Sequence, residues 1–158
     1  VRRFVAADAP NHGIINCPPE PPNYWRAPAA GGFTPSSEVC QELGSPDTPF
    51  LRLLNGRAGG AENEGPTRVL VIRNGDASFV YFPVQDGLVT PVPAVDSYGK
   101  PTDFSKSASL RGARELVLTG QGAYDPVLRS AHLGILNSPQ TWKAAFEFLS
   151  DRNKGQGD

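Results

Sequence analysis

The residues best suited to chemistry lie in Ser130-Ala131-His132-Leu133-Gly134-Ile135-Leu136, where a histidine stands among small and apolar neighbours. An imidazole titrates near neutral pH, so it can accept a proton and return it within one reaction cycle. It does so best when a carboxylate orients it, and two aspartates are candidates for that task. Asp86 opens Asp86-Gly87-Leu88-Val89-Thr90-Pro91, and Asp76 ends the turn Asn74-Gly75-Asp76 directly after an apolar run. Asp86 has the better local pattern and Asp76 the more direct position. An acid and a base of this kind serve acyl transfer when a serine provides the attacking oxygen. Ser36, Ser37, Ser78, Ser107, Ser109 and Ser130 all lack the G-x-S-x-G turn that presents a hydroxyl beside backbone N–H donors for an oxyanion. Two parts of a proton-transfer device are therefore legible, and the nucleophile is not. The plainer reading of His132 is a residue that caps or packs a loop.

The elements that must hold these residues are short and widely spaced. Arg3-Phe4-Val5-Ala6-Ala7 reads as a buried strand, followed by the loop Asp8-Ala9-Pro10-Asn11-His12-Gly13. From Cys17 to Pro35 the chain is studded with proline and lacks periodicity. Its Tyr24, Trp25 and Phe33 read either as a wall of an apolar pocket or as ordinary loop packing. Ser36 or Ser37 is placed to cap a helix through Leu43. Asp47 or Thr48 is placed to cap a second one, Pro49 to Asn55, whose Phe50, Leu53 and Leu54 share a face. Arg57 to Pro66 reads as a Gly-rich surface loop. The unbroken apolar run from Val69 to Ile72 predicts a parallel strand covered on both faces. Ser78 to Val84 suggests a further extended piece, and residues 96 to 112 read as polar loop. Glu115 to Thr119 predicts a third core strand. Ser138-Pro139 is expected to cap and open a last helix, with Trp142, Ala145, Phe146 and Leu149 forming the face that docks on a sheet.

Apolar strands separated by long crossovers predict an α/β fold with a parallel sheet, in which chemistry gathers at the C-terminal ends of the strands. The totals agree with one domain: 158 residues, a net charge of −1, 17 glycines and 16 prolines. Near-zero charge without a basic run predicts no nucleic-acid partner, and no apolar stretch reaches membrane-spanning length. Neither a G-x-G-x-x-G nor a G-x-x-x-x-G-K-[ST] motif is present, which disfavours nucleotide binding. Cys17 and Cys40 bracket the proline-rich loop and are expected to pair, and they have no C-x-x-C spacing for zinc. Asp96, Asp103 and Asp125 are expected to be solvated, and nothing clusters in a calcium-loop pattern. The first residue is not methionine, which suggests that Val1 is not the natural start.

On these residues the chain resembles the bacterial secreted lipases and esterases of the α/β-hydrolase fold, and specifically their C-terminal half. Three segments carry the resemblance: Phe4 to Ala7 leading into Ala9-Pro10-Asn11-His12-Gly13, then Asp86 to Pro91, then Leu116 to Thr119 followed by His132 to Leu136 and the helix after Pro139. It implies three core parallel strands with crossover helices and long loops, as one incomplete segment over residues 1–158. It implies a carboxylic-ester hydrolase in which Asp86 and His132 are the acid and base of a Ser-Asp-His triad. The serine would lie upstream or in another chain, consistent with the order Ser, acid, His. That order makes His12, which precedes both acids, a structural loop residue or pocket liner. The implied partner is a complementary N-terminal half, the substrate an ester or lipid, the compartment secreted or periplasmic, and no cofactor is required. The alternative is a non-catalytic binding or scaffold module that keeps the frame without the chemistry.

Overall fold

The computed structural model describes residues 1–14, 17, 36–56, 62–63, 65–75, 93–104, 107–119 and 131–150, with the backbone alone at 93–94 and 131–133. In chain order the elements are β1 (Arg3–Ala7), α1 (Glu38–Leu43), α2 (Pro49–Leu54), β2 (Arg68–Asn74), β3 (Pro93–Val95), β4 (Pro101–Asp103), β5 (Arg114–Leu118), α3 (Ala131–Asn137) and α4 (Pro139–Ser150). The expected strand from Ser78 to Val84 lies outside the described residues.

The three predicted core strands form one parallel sheet in the order β1-β2-β5. β2 is central because it alone is apolar on both faces. Val69, Leu70, Val71 and Ile72 are all buried, and each contributes about 2 kcal/mol relative to an exposed side chain. Leu70 and Ile72 point to one face, where Leu118, Ile135 of α3 and Phe148 of α4 close over them together with Val5, Ala7 and Leu116. Val69 and Val71 point to the other, where Ala6 meets Ala9, Leu110 and Ala113. Among the described residues β1 and β5 are the sheet's edges.

The two short helices begin where the sequence predicts. Ser37, not Ser36, caps α1 by accepting from the Cys40 N–H, and Thr48, not Asp47, caps α2 by accepting from the Leu51 N–H ahead of Pro49. Cys40 is bonded to Cys17, so the proline-rich excursion is tied to α1 at both ends, as expected. Gly56 follows α2 with φ +67°, a left-handed stop that a side chain resists.

Three packing expectations are corrected. In α2 the buried residue is Leu51, whereas Phe50, Leu53 and Leu54 are exposed. A helix of six residues needs only its cap and one anchor to be held against the body. In α4 the sheet-facing residues are Thr141 and Phe148, flanked by Ala144 and Ala145. Trp142, Phe146 and Leu149 face outward at 65, 73 and 53% exposure, so of the predicted docking face only Ala145 docks. The small alanines let the helix approach the sheet closely, and the bulky residues sit on its flank. The Ser138 hydroxyl is buried and has no hydrogen-bond partner among the described residues, so it does not cap α4. Its carbonyl instead accepts from the Trp142 N–H at 3.2 Å.

Residues 96–104 and 107–112 are more regular than their polarity suggests. β3 and β4 form an antiparallel hairpin, Pro93 opposite Asp103, and Phe104 and Ala108 are buried. Asp96, expected in solvent, is buried at the hairpin's turn. Its Oδ1 accepts from the N–H groups of Tyr98 and Lys100 at 2.9 Å each, and its Oδ2 from the Thr102 hydroxyl at 3.0 Å. A carboxylate that satisfies so many local donors replaces water inside a tight turn. Asp103 is exposed, as expected.

Candidate functional site

The parallel sheet creates one rim where the chain leaves β1, β2 and β5, and the expected acid and base segments leave from adjacent strands. Asn74 of β2 stands opposite Leu118 of β5, and the Gly75 N–H donates to the Leu118 carbonyl at 2.8 Å. The exits are thus one strand spacing apart, about 4.8 Å. The contact depends on glycine, because a Cβ at Gly75 would lie 2.3 Å from Cγ1 of Val117. Asp76 follows Gly75 immediately, and both it and Asp86 lie outside the described residues. His132 is the second residue of α3, the helix after β5. It was expected in a loop, and its backbone is already in a first helical turn. Its side chain is not among those described, and neither are Asp125, Tyr24, Trp25 and Phe33.

Beside these exits Asp8 ends β1. Its backbone is left-handed, φ +46°, which aspartate tolerates better than most residues. The side chain is buried and its Oδ1 accepts from the Asn74 N–H at 3.1 Å, while its own N–H donates to the Ile72 carbonyl at 2.8 Å. Asp8 therefore braces the last residue of β2, the residue from which the acid segment departs. Sequence reasoning assigned it no role. The available signal was a charged residue ending an apolar strand with Ala9-Pro10 behind it.

His12 occupies the same rim and has a partner that the sequence did not reveal. Its Nε2 is 2.8 Å from Oε1 of Glu62, which also accepts from Nη1 of Arg111 at 2.8 Å. Oε2 of Glu62 accepts from the Arg111 N–H at 2.8 Å, and the Glu62 N–H donates to the Arg111 carbonyl at 3.0 Å. The Glu62 side chain is only 1% exposed, within a stretch whose sequence reads as surface loop. Burial pushes its carboxyl up, but the hydrogen bonds from His12 and the Arg111 backbone and the charges of both residues outweigh that, and the pKa is lowered. Because Oε1 is shared between an imidazole and a guanidinium, His12 Nε2 must carry its proton and donate. This cluster joins the loop after β1, the loop before β2 and the turn before β5. Further bonds run in parallel: Asn11 Nδ2 to the Ala108 carbonyl at 2.9 Å, His12 N–H to the Ser107 carbonyl at 2.8 Å, and the Ser107 hydroxyl to the Gly13 carbonyl. The arrangement fits the structural role expected of His12.

The β3–β4 hairpin is docked near the rim by Ser97 N–H to the Gly44 carbonyl at 2.8 Å and by Lys100 Nζ to Asp47 at 2.9 Å. The Lys100 ammonium and the Arg52 guanidinium hold the Asp47 carboxyl below its ordinary range. Among the described residues no group of three or more His, Cys, Asp or Glu is placed to hold a metal ion, and no helix is long and apolar enough to cross a membrane. Comparison with protein-family models, curated proteins and solved structures returned no match to this chain.

Proposed function

We propose that this chain is part of a carboxylic-ester hydrolase of the α/β-hydrolase type. In this reading His132 is the general base, and Asp86 is the carboxylate that orients it, with Asp76 as the alternative. The nucleophilic serine comes from a complementary portion upstream or in another chain. The observation that carries the reading is the register of β2 against β5, which sends the aspartate-bearing segment and the histidine-bearing segment out of neighbouring strand ends on one rim. Parallel α/β sheets keep their chemistry there. His132 would take the proton from the serine hydroxyl as it attacks the ester carbonyl, then return it to the leaving alkoxide. The carboxylate would stabilise the imidazolium formed in between. The Cys17–Cys40 bond fits an oxidising, extracytoplasmic compartment.

The test is hydrolysis of a chromogenic short-chain ester by the assembled protein. His132→Ala is expected to lower kcat by about a thousandfold or more. Comparing Asp86→Asn with Asp76→Asn identifies the acid, since only the true partner gives a loss on the order of the histidine's. Activity of His132→Ala within a few-fold of the parent would sink the reading.

A further inference from the structure

The chain contains two Asn-Gly pairs, Asn55-Gly56 after α2 and Asn74-Gly75 at the end of β2. Such a pair has a chemistry of its own. The backbone nitrogen that follows an asparagine can attack the side-chain Cγ and close a five-membered imide. Glycine hinders that approach least, because it has no Cβ. The attack needs a nitrogen that is not already donating, a peptide plane free to swing, and a side chain able to leave its partner. The fold grants these to one pair and withholds them from the other.

At Asn74-Gly75 the nitrogen is committed, since the Gly75 N–H donates to the Leu118 carbonyl at 2.8 Å. Asn74 is only 1% exposed, and its own N–H donates to Oδ1 of Asp8. Gly75 is also packed so closely that a Cβ would collide with Val117, which leaves the peptide plane no room to turn. The nitrogens after Asn11 and Asn137 are committed too, to the carbonyls of Ser107 and Ile135. At Asn55-Gly56 the situation is reversed. Gly56 is exposed, a Cβ there would meet nothing within 4 Å, and its N–H donates to no acceptor among the described residues. Asn55 is the C-cap of a helix of six residues, where helices fray most readily. One restraint holds it: Nδ2 donates to the Asn11 carbonyl at 2.6 Å.

We infer that Asn55 is a self-modification site, a deamidation timer whose conversion unfastens α2 from the loop that carries His12. The Gly56 nitrogen forms a bond to Asn55 Cγ, and the Asn55 amide nitrogen leaves as ammonia, taking the Gly56 proton with it. Water then adds to one of the two imide carbonyls. Opening at Cγ leaves aspartate. Opening at the backbone carbonyl leaves isoaspartate, with an additional methylene in the main chain. At neutral pH neither product has a side-chain donor for Asn11. A carboxylate in place of the amide faces the carbonyl oxygen that the amide had served, acceptor against acceptor. Asn11 belongs to the loop that is tied to the turn before β5, through its Nδ2 to the Ala108 carbonyl and through the His12 N–H to the Ser107 carbonyl. Conversion at Asn55 removes the tie from the α2 side and strains the others. The rate rises with pH, because the attacking nitrogen must lose its proton.

The experiment ages the full, disulfide-bonded chain in mildly alkaline buffer and follows two tryptic peptides by mass spectrometry, residues 53–57 for Asn55 and residues 74–106 for Asn74. Replacement of NH2 by OH, divided between aspartate and isoaspartate forms, is expected about a hundredfold faster at Asn55, because Asn74 reacts only from a locally opened sheet. In urea with the disulfide reduced, both pairs should convert at similar rates, which assigns the difference to the fold. Asn55→Gln keeps a donor for Asn11 and closes its larger ring far more slowly, so on ageing it should keep the loop protected. Asn55→Asp supplies one product directly. In that variant, and in the aged parent, the His12 and Gly13 amides are expected to exchange with solvent about tenfold faster while the β2 amides stay as they were. The inference is overturned if Asn55 in the folded chain converts no faster than Asn74, or if the His12 and Gly13 amides of the aged parent stay as protected as in the fresh chain.

Discussion

Glu62→Gln is the sharpest test of how the rim is held. The substitution keeps size and shape, and it keeps the backbone bond from Glu62 N–H to the Arg111 carbonyl. It removes the charge and makes one of the two acceptor oxygens a donor. If the amide oxygen takes the Oε1 position, His12 and Arg111 Nη1 keep a neutral acceptor, and the NH2 group confronts the Arg111 N–H. Flipping the amide restores that bond and sets NH2 against both His12 and the guanidinium. Either way a buried donor faces a donor, which costs about 1–3 kcal/mol, and the surviving bonds lose their charge assistance, about 1 kcal/mol more. A total of about 3 kcal/mol, at a denaturant slope of about 2 kcal/mol per molar urea, lowers the unfolding midpoint by about 1.5 M. The pH dependence adds a second constraint. Glu62 has a lowered folded pKa, so its contribution is complete above the unfolded carboxylate's ordinary value and is lost as pH falls through the folded value. Urea unfolding of parent and variant should therefore differ most near neutral pH and converge on acidification. A variant within about 0.5 kcal/mol of the parent near neutral pH, or a gap that stays constant into acid, would refute the assignment.

Other predictions follow from single close contacts. A Cβ at Gly44 would lie 2.4 Å from the Cys40 carbonyl oxygen and 2.6 Å from Cβ of Ser97, so Gly44→Ala should cost about 1–3 kcal/mol and undock the hairpin. Faster proteolysis around Tyr98–Lys100 would report it, and an unchanged rate would contradict it. Gly75→Ala should part the ends of β2 and β5, and Val117→Ala, which removes the clashing methyl, should restore most of the loss in a double-mutant cycle. Cys40→Ser opens a loop closed across a sequence separation of 23, worth about 3 kcal/mol on the chain-entropy model and readable as a lower thermal midpoint. No change on reducing the parent would argue against the bond's role.

Much of the frame was legible because its signals are local. The unbroken run from Val69 to Ile72 could belong only to a strand covered on both faces, and it became the centre of the sheet. Helix starts were readable because a cap needs one hydroxyl and the N–H two or three residues on, both within a few positions. Partners far apart in sequence were not readable. Glu62 meets His12 and Arg111 across separations of about fifty residues, and nothing in a Gly-rich stretch marks one glutamate for burial. Asp96 was misjudged for a related reason. Polarity predicts exposure on average, yet an aspartate that closes an Asx-type turn is buried by the donors it collects.

The α4 helix shows the limit of periodicity most clearly. Trp142, Phe146 and Leu149 recur at helical spacing, and that pattern announces an apolar face without saying what covers it. Within this chain the sheet is claimed by Phe148 and two alanines, and the announced face looks outward. Among the described residues the three-stranded sheet buries one apolar surface of this helix and leaves the other exposed. The same logic separates the two histidines. Nε2 of His12 is committed to Glu62, a carboxylate that Arg111 also engages, and withdrawing His12 for proton transfer would break the network that fastens three loops. His132 is the second residue of α3, a helix that packs on β2. A pH–rate profile of the proposed ester hydrolysis can tell them apart. If His132 is the base, His12→Gln should lower stability while leaving the shape of the profile intact, because glutamine can still donate to Glu62. A profile reshaped by His12→Gln, with His132→Ala silent, would transfer the chemistry to the other side of the rim.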